Sequence, residues 1–118
     1  MSVSDTTQIA LQRAISGAHL RAAVLVDNIA NADTPGFQPA DVDFHSALRE
    51  ALGRGPEAVR ELGFAPQRRA PVAMRADGNG VDAEAESAKL AENALELNAL
   101  VAVAGARAQI LRTAMGVA

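Results

Sequence analysis

Apolar residues recur along the first third of the chain at alternating steps of four and three: Leu11, Ile15, Ala18, Ala22, Leu25, Ile29 and Ala32. This spacing keeps one stripe of a helix on a partner, as in a coiled-coil seam. Asp5 is a good N-cap, and Gln8, three residues on, completes a capping box. A helix is therefore predicted over residues 5–33. It must stop at Asn31-Ala32-Asp33-Thr34-Pro35-Gly36, because proline disfavours helical geometry in the residue before it and Pro35-Gly36 forms the central pair of a type II turn.

The last third repeats the pattern, with a seam at Leu90, Ala94, Leu97, Val101, Ala104, Ala108, Leu111 and Met115. Asp82 is the expected cap, with Glu84 and Glu86 in the first turn and Arg107 and Arg112 toward the end, a polarity that complements the helix dipole. This predicts a helix over 82–116. Leu95, Leu100, Val103 and Ile110 fall off the seam, so the helix is apolar over much of its circumference and calls for more than one neighbour. Helices of about 28 and about 33 residues run to about 42 Å and about 50 Å, against a radius of gyration of about 13 Å for a compact chain of this length. An elongated shape is expected. The seam alanines bury little area, so the pair should gain order as neighbours add contact.

The middle segment, 34–81, carries weaker periodicity. Asp43 can cap a short amphipathic helix through Phe44, Ala47, Leu48, Ala51 and Leu52, which Gly53-Arg54-Gly55-Pro56 stops. Pro56–Leu62 adds a turn or two. Phe64-Ala65-Pro66 and Pro71-Val72-Ala73-Met74 read as extended, with Asp77-Gly78-Asn79-Gly80 as a turn closing a small hairpin. The predicted fold is mainly α: one elongated assembly unit over 1–118, with long terminal helices pairing as a coiled coil around an irregular middle of short helices and a small hairpin.

Composition narrows the functional classes. Hydrophobic residues make up 49% of the 118 positions, which argues for a folded chain, but aromatics are only 3% and large anchors are scarce. The formal charge of −3 disfavours the basic face that nucleic-acid phosphates require. No cysteine is present, so neither a disulfide nor a thiolate metal site can form. The N-terminus lacks a basic and an apolar signal region, and no cleaved signal is expected. The charge-free stretch Leu97–Ala106 is shorter than the roughly 20 residues of a spanning helix, so no membrane span is expected.

Candidate chemistry is sparse. Asp41, Asp43 and His45 alternate as ligands on one side of a strand would, but an aspartate at a helix start and a solvated histidine explain them better. His19 has no carboxylate one turn away and reads as a helix-surface residue. Gly78-Asn79-Gly80 lacks the following Gly-Lys-Ser/Thr of a phosphate loop. No nucleophile with a base, no acid and base pair and no cofactor fingerprint stands out, so neither catalysis, a cofactor, a metal nor a small-molecule substrate is expected.

At Asp27-Asn28-Ile29-Ala30-Asn31-Ala32-Asp33-Thr34-Pro35-Gly36-Phe37 the chain resembles the signature of the bacterial flagellar rod, hook and hook-filament proteins. Asp41-Val42-Asp43-Phe44 and Asp77-Gly78-Asn79-Gly80-Val81-Asp82 resemble the proximal rod branch of that family. The likeness covers roughly 11–44 and 77–115. Phe37 stands where the family usually has Tyr, Gly80 where Asn is common, Ala83 where Leu is common and Leu97 where an aromatic is frequent.

The resemblance implies a structural subunit of the proximal rod that packs helically around a central channel and transmits torque. It further implies type III export without a cleaved signal peptide and a place in the periplasmic part of the basal body. Implied partners are copies of itself, other rod proteins and the base of the export gate. The family turn residues are Asn28, Asn31, Thr34, Pro35, Gly36 and Phe37. Asn28 and Asn31 have two readings: they satisfy carbonyls at the helix end and set up the turn, or they bond to a neighbouring subunit. The alternative function is a small soluble helical adaptor that dimerises through the same seams.

Overall fold

A computed structural model describes residues 3–69 and 80–116. In chain order the elements are α1 (Val3–Ala30), β1 (Ala40–Asp41), α2 (Phe44–Arg54), α3 (Pro56–Glu61), β2 (Gln67–Arg68) and α4 (Ala83–Ala114). The fold is mainly helical and extended, with long terminal helices and a small two-stranded antiparallel sheet in the middle. Its radius of gyration is 17.7 Å and its extents are 62 × 30 × 14 Å.

Local chemistry sets most of the element boundaries. α1 starts at Val3, so Asp5 lies inside the helix, and the helix ends at Ala30. Asn31 N–H donates to the Asp27 and Asn28 carbonyls, and Ala32 N–H to Ile29, which closes the last turn. Gly36 at φ +75° and the bond from Phe37 N–H to the Thr34 carbonyl complete the Pro-Gly turn that the sequence predicts. The Asp43 carboxylate accepts from Ser46 N–H at 3.1 Å and from Ser46 Oγ at 2.7 Å, capping α2. Gly55 at φ +108° stops α2, and Pro56 opens α3. Asp82 caps α4 through the Glu84 and Ala85 amides.

The sheet differs from the expected hairpin. Ala40 pairs with Arg68 and Asp41 with Gln67, so the two strands bracket α2 and α3. The Pro71–Met74 segment and all of the Asp77–Gly80 turn except Gly80 lie outside the described residues. The α1 and α4 helices run antiparallel, the end of α1 meeting the start of α4. Ala14, Ala18, Val42 and Phe44 form the core, with Leu48, Phe64, Leu97 and Leu100 packed around it. The Phe44 ring lies edge-on to Phe64, centroids 6.3 Å apart. Gly17 admits Phe44: a Cβ there would fall 2.6 Å from Phe44 Cβ.

An 18-residue window of α4 that tolerates two charges reaches a mean hydropathy of 1.3, so by length and composition alone α4 could cross a membrane, and none of that window is buried in the chain.

Candidate assembly interface

On α1 the predicted seam faces inward. Ala18 and Leu25 are fully buried, while Leu11, Ile15, Ala22 and Ile29 are half-buried. On α4 the structure divides the seam. Leu90, Leu97, Ala104 and Ala108 are half-buried against the chain, whereas Ala94, Val101, Leu111 and Met115 are exposed. The inward face of α4 follows Glu86, Leu90, Asn93, Leu97, Leu100 and Ala104. Two of these positions are polar, and a search for apolar periodicity passes over them.

Glu86 and Asn28 build a polar joint where the two long helices meet the sheet. Asn28, with no exposed surface, donates from Nδ2 to the Ala40 carbonyl at 2.7 Å and to Glu86 Oε2 at 2.8 Å. Its Oδ1 accepts from Ala40 N–H at 3.0 Å. One amide thus satisfies both backbone groups of Ala40 and orients a buried carboxylate. Glu86 Oε1 accepts from Arg69 at 3.0 Å and Lys89 at 3.3 Å, so its charge is paired. Asn31 has a local role. Its Nδ2 donates to the Asp27 carbonyl at 2.8 Å, and its Oδ1 accepts from Thr34 Oγ1 at 3.2 Å. Within one chain, then, Asn31 finishes the helix, while Asn28 reaches across the turn it precedes.

A second joint ties β1 to α1. Arg21 Nε donates to Asp41 Oδ1 at 2.8 Å, and Nη2 to Oδ2 at 3.3 Å. Burial opposes ionisation of Asp41, but the hydrogen bonds from Arg21 and from Val42 N–H, together with the Arg21 charge, outweigh it and hold the carboxyl below its ordinary value. The same contact raises the Arg21 guanidinium above its ordinary value. Asp41, Asp43 and His45 take separate partners: Arg21, Ser46 and Glu96 respectively. Among the described residues no group of three or more potential ligands converges on a metal site. His19 is exposed on α1.

Beyond the core, α4 is open. Leu95 is 73% exposed, Ile110 67% and Met115 70%, and Val101 and Val103 are each about half exposed. At about 100° per residue these side chains spread around the helix, so no single flat neighbour covers them.

A profile of the family described as "Flagella basal body rod protein" matches residues 1–38, which span α1 and the turn after it. The flagellar basal body rod protein FlgB of Aeromonas hydrophila is 41% identical over 97 residues, covering 72% of this chain and 74% of that protein. FlgB of Escherichia coli K12 is 34% identical over 103 residues, covering 72% and 75%. FlgB of Salmonella typhimurium is 32% identical over 114 residues, covering 81% and 83%. The chain belongs to the FlgB family of flagellar basal body rod proteins.

It is a structural subunit of the basal body rod, located there and assembled with other rod proteins, and not an enzyme.

Proposed function

We propose that the chain is a subunit of the proximal rod, packing helically with copies of itself and with other rod proteins to transmit torque in motility. On this reading it travels through the flagellar type III apparatus without a cleaved signal peptide, lies in the periplasmic space, and meets the base of the export gate. The observation that carries the reading is the apolar surface around the distal half of α4, from Leu95 to Met115. A shaft under torque needs each helix held on several sides, and this helix offers several sides to hold. The adaptor alternative is less well supported, because Ala18 and Leu25 of the α1 seam it would use for dimerisation are already buried by this chain's own packing.

Complementation tests the proposal. Cells lacking the gene are supplied with Ile110→Asp, Val103→Asp or Arg54→Ala, and detergent-extracted basal bodies are imaged. Ile110 and Val103 are exposed and apolar, whereas Arg54 is an exposed residue whose ion pair among the described residues is with Glu50 at 3.7 Å. Loss of rods with both aspartate variants, and normal rods with Arg54→Ala, is the expected result. Normal rods with both aspartate variants would remove the packing model.

A further inference from the structure

Three polar side chains are buried between α1 and the rest of the chain. Asn28 and Asn93 have no exposed surface, and Glu86 is 3% exposed. Burying such groups opposes folding unless they find partners, and apolar residues of similar volume often serve packing as well or better. Asn93 is the clearest case. Its Nδ2 donates to the Ala18 carbonyl at 2.9 Å, while its Oδ1, equally buried, has no hydrogen-bond partner among the described residues. Tighter packing therefore does not account for Asn93.

Alignment accounts for it better. Leu90, Leu97, Ala104 and Leu111 are spaced by seven along α4, as Leu11, Ala18 and Leu25 are along α1. Sliding one helix by seven residues, about 10 Å, sets apolar on apolar again, so the seam cannot distinguish these registers. The inward polar line has the same interval but not the same chemistry: Glu86, Asn93, Leu100, Arg107. A slide one way brings the Glu86 carboxylate to the Ala18 carbonyl, where two acceptors repel. A slide the other way brings Leu100 there, which leaves nothing to donate. In both cases Asn28 loses Glu86.

We infer that Asn28, Glu86 and Asn93 set the register of the terminal helix pair, and that the alanine-rich seam supplies cohesion without alignment. Polar residues at core positions serve this purpose where apolar packing leaves several registers equal. The inference concerns the single chain, and its test needs no assembled rod.

Because the sequence has no cysteine, nitroxide labels introduced through Ala23→Cys and Ala106→Cys occupy defined sites, both exposed. Pulsed dipolar spectroscopy on the full-length chain then reads the axial offset of α1 and α4. The parent and Glu86→Gln should each give one distance. Asn93→Leu, and more strongly Asn93→Leu with Glu86→Leu, should keep the helical circular dichroism and add a second population of about 10% or more, its axial offset changed by about 10 Å. One unchanged distance in both leucine variants would overturn the inference. So would loss of helix in Asn93→Leu, since the seam would then not hold in any register, or several distances in the parent.

Discussion

Adding one methyl group at Gly17 should destabilise the chain, although the same change elsewhere in a helix should stabilise it. A Cβ at Gly17 would lie 2.6 Å from Phe44 Cβ and 2.7 Å from Phe44 Cγ, roughly 1 Å inside ordinary carbon contact. Those atoms are the stem of the side chain, so turning the ring relieves nothing and α2 itself must back away. Phe44 is 1% exposed and sits in the core with Ala14, Ala18 and Val42, so the displacement reaches the whole cluster. Overpacking of this kind costs about 1–3 kcal/mol, while alanine's helix propensity returns about 1 kcal/mol. The net loss for Gly17→Ala should be up to about 2 kcal/mol, the larger part of it set by how far α2 must move. Gly105, inside α4, has nothing within 4 Å of its own added Cβ, so Gly105→Ala should gain up to about 1 kcal/mol. Urea unfolding of the full chain, followed by far-ultraviolet circular dichroism, separates the two, because such differences move the midpoint by roughly 0.5–1 M. A Gly17→Ala chain as stable as its parent would refute the argument that Phe44 needs a bare backbone beneath it.

Removing the polar joint should be more costly than removing most surface groups: Asn28→Ala leaves Ala40 N–H and Glu86 Oε2 without the partner that Asn28 supplies, and should cost about 2–4 kcal/mol in the same urea assay. Asn28→Asp sets a second carboxylate against Glu86 and should be less stable than Asn28→Ala at neutral pH, recovering in part as acid protonates the pair. Asp41 and Asp43 both have carboxyls held below their ordinary value of about 3.8. The stability they contribute is therefore present above that value and lost as pH falls through their lower folded values. A thermal-melt series should show the midpoint falling below about pH 4, with a shallower fall in Asp41→Asn; an unchanged slope in that variant would dismiss the Arg21 contact as a contributor. Asp43→Ala should shorten α2 by its first turn, read as hydrogen-exchange protection lost at Ser46 and Ala47 while α4 keeps its own.

Much of the fold was legible because its punctuation is local. Asp43, Asp82, Pro35-Gly36 and Gly55-Pro56 act on neighbours within a few residues, and each set a boundary that the sequence predicts. The start of α1 was less legible, since a helix can extend past a good cap when the residues before it also accept helical geometry. The sheet was illegible for a different reason. Its strands are two residues long and stand far apart in sequence, so Ala40–Asp41 and Gln67–Arg68 carry no alternation to read. The inward face of α4 shares only part of the apolar seam, because Glu86 and Asn93 occupy inward positions that hydrophobic patterning assigns to leucine or alanine. Their partners, Asn28 and the Ala18 carbonyl, are 58 and 75 residues away. The turn motif singles out Asn28, and the structure shows that it serves Ala40 and Glu86.

The shortest extent of the subunit, 14 Å, is less than a quarter of its longest, 62 Å. The chain is in effect a thin plate. Resistance of a plate to bending rises with the cube of its thickness, so a single subunit flexes easily across its thin direction however well its helices are capped. Plates bonded face to face behave otherwise, because sliding between layers is blocked and the stack bends as one thick body. Stiffness on this view belongs to no subunit and appears only when their faces are joined, and the side chains from Leu95 to Met115 would then act as the adhesive that prevents slip.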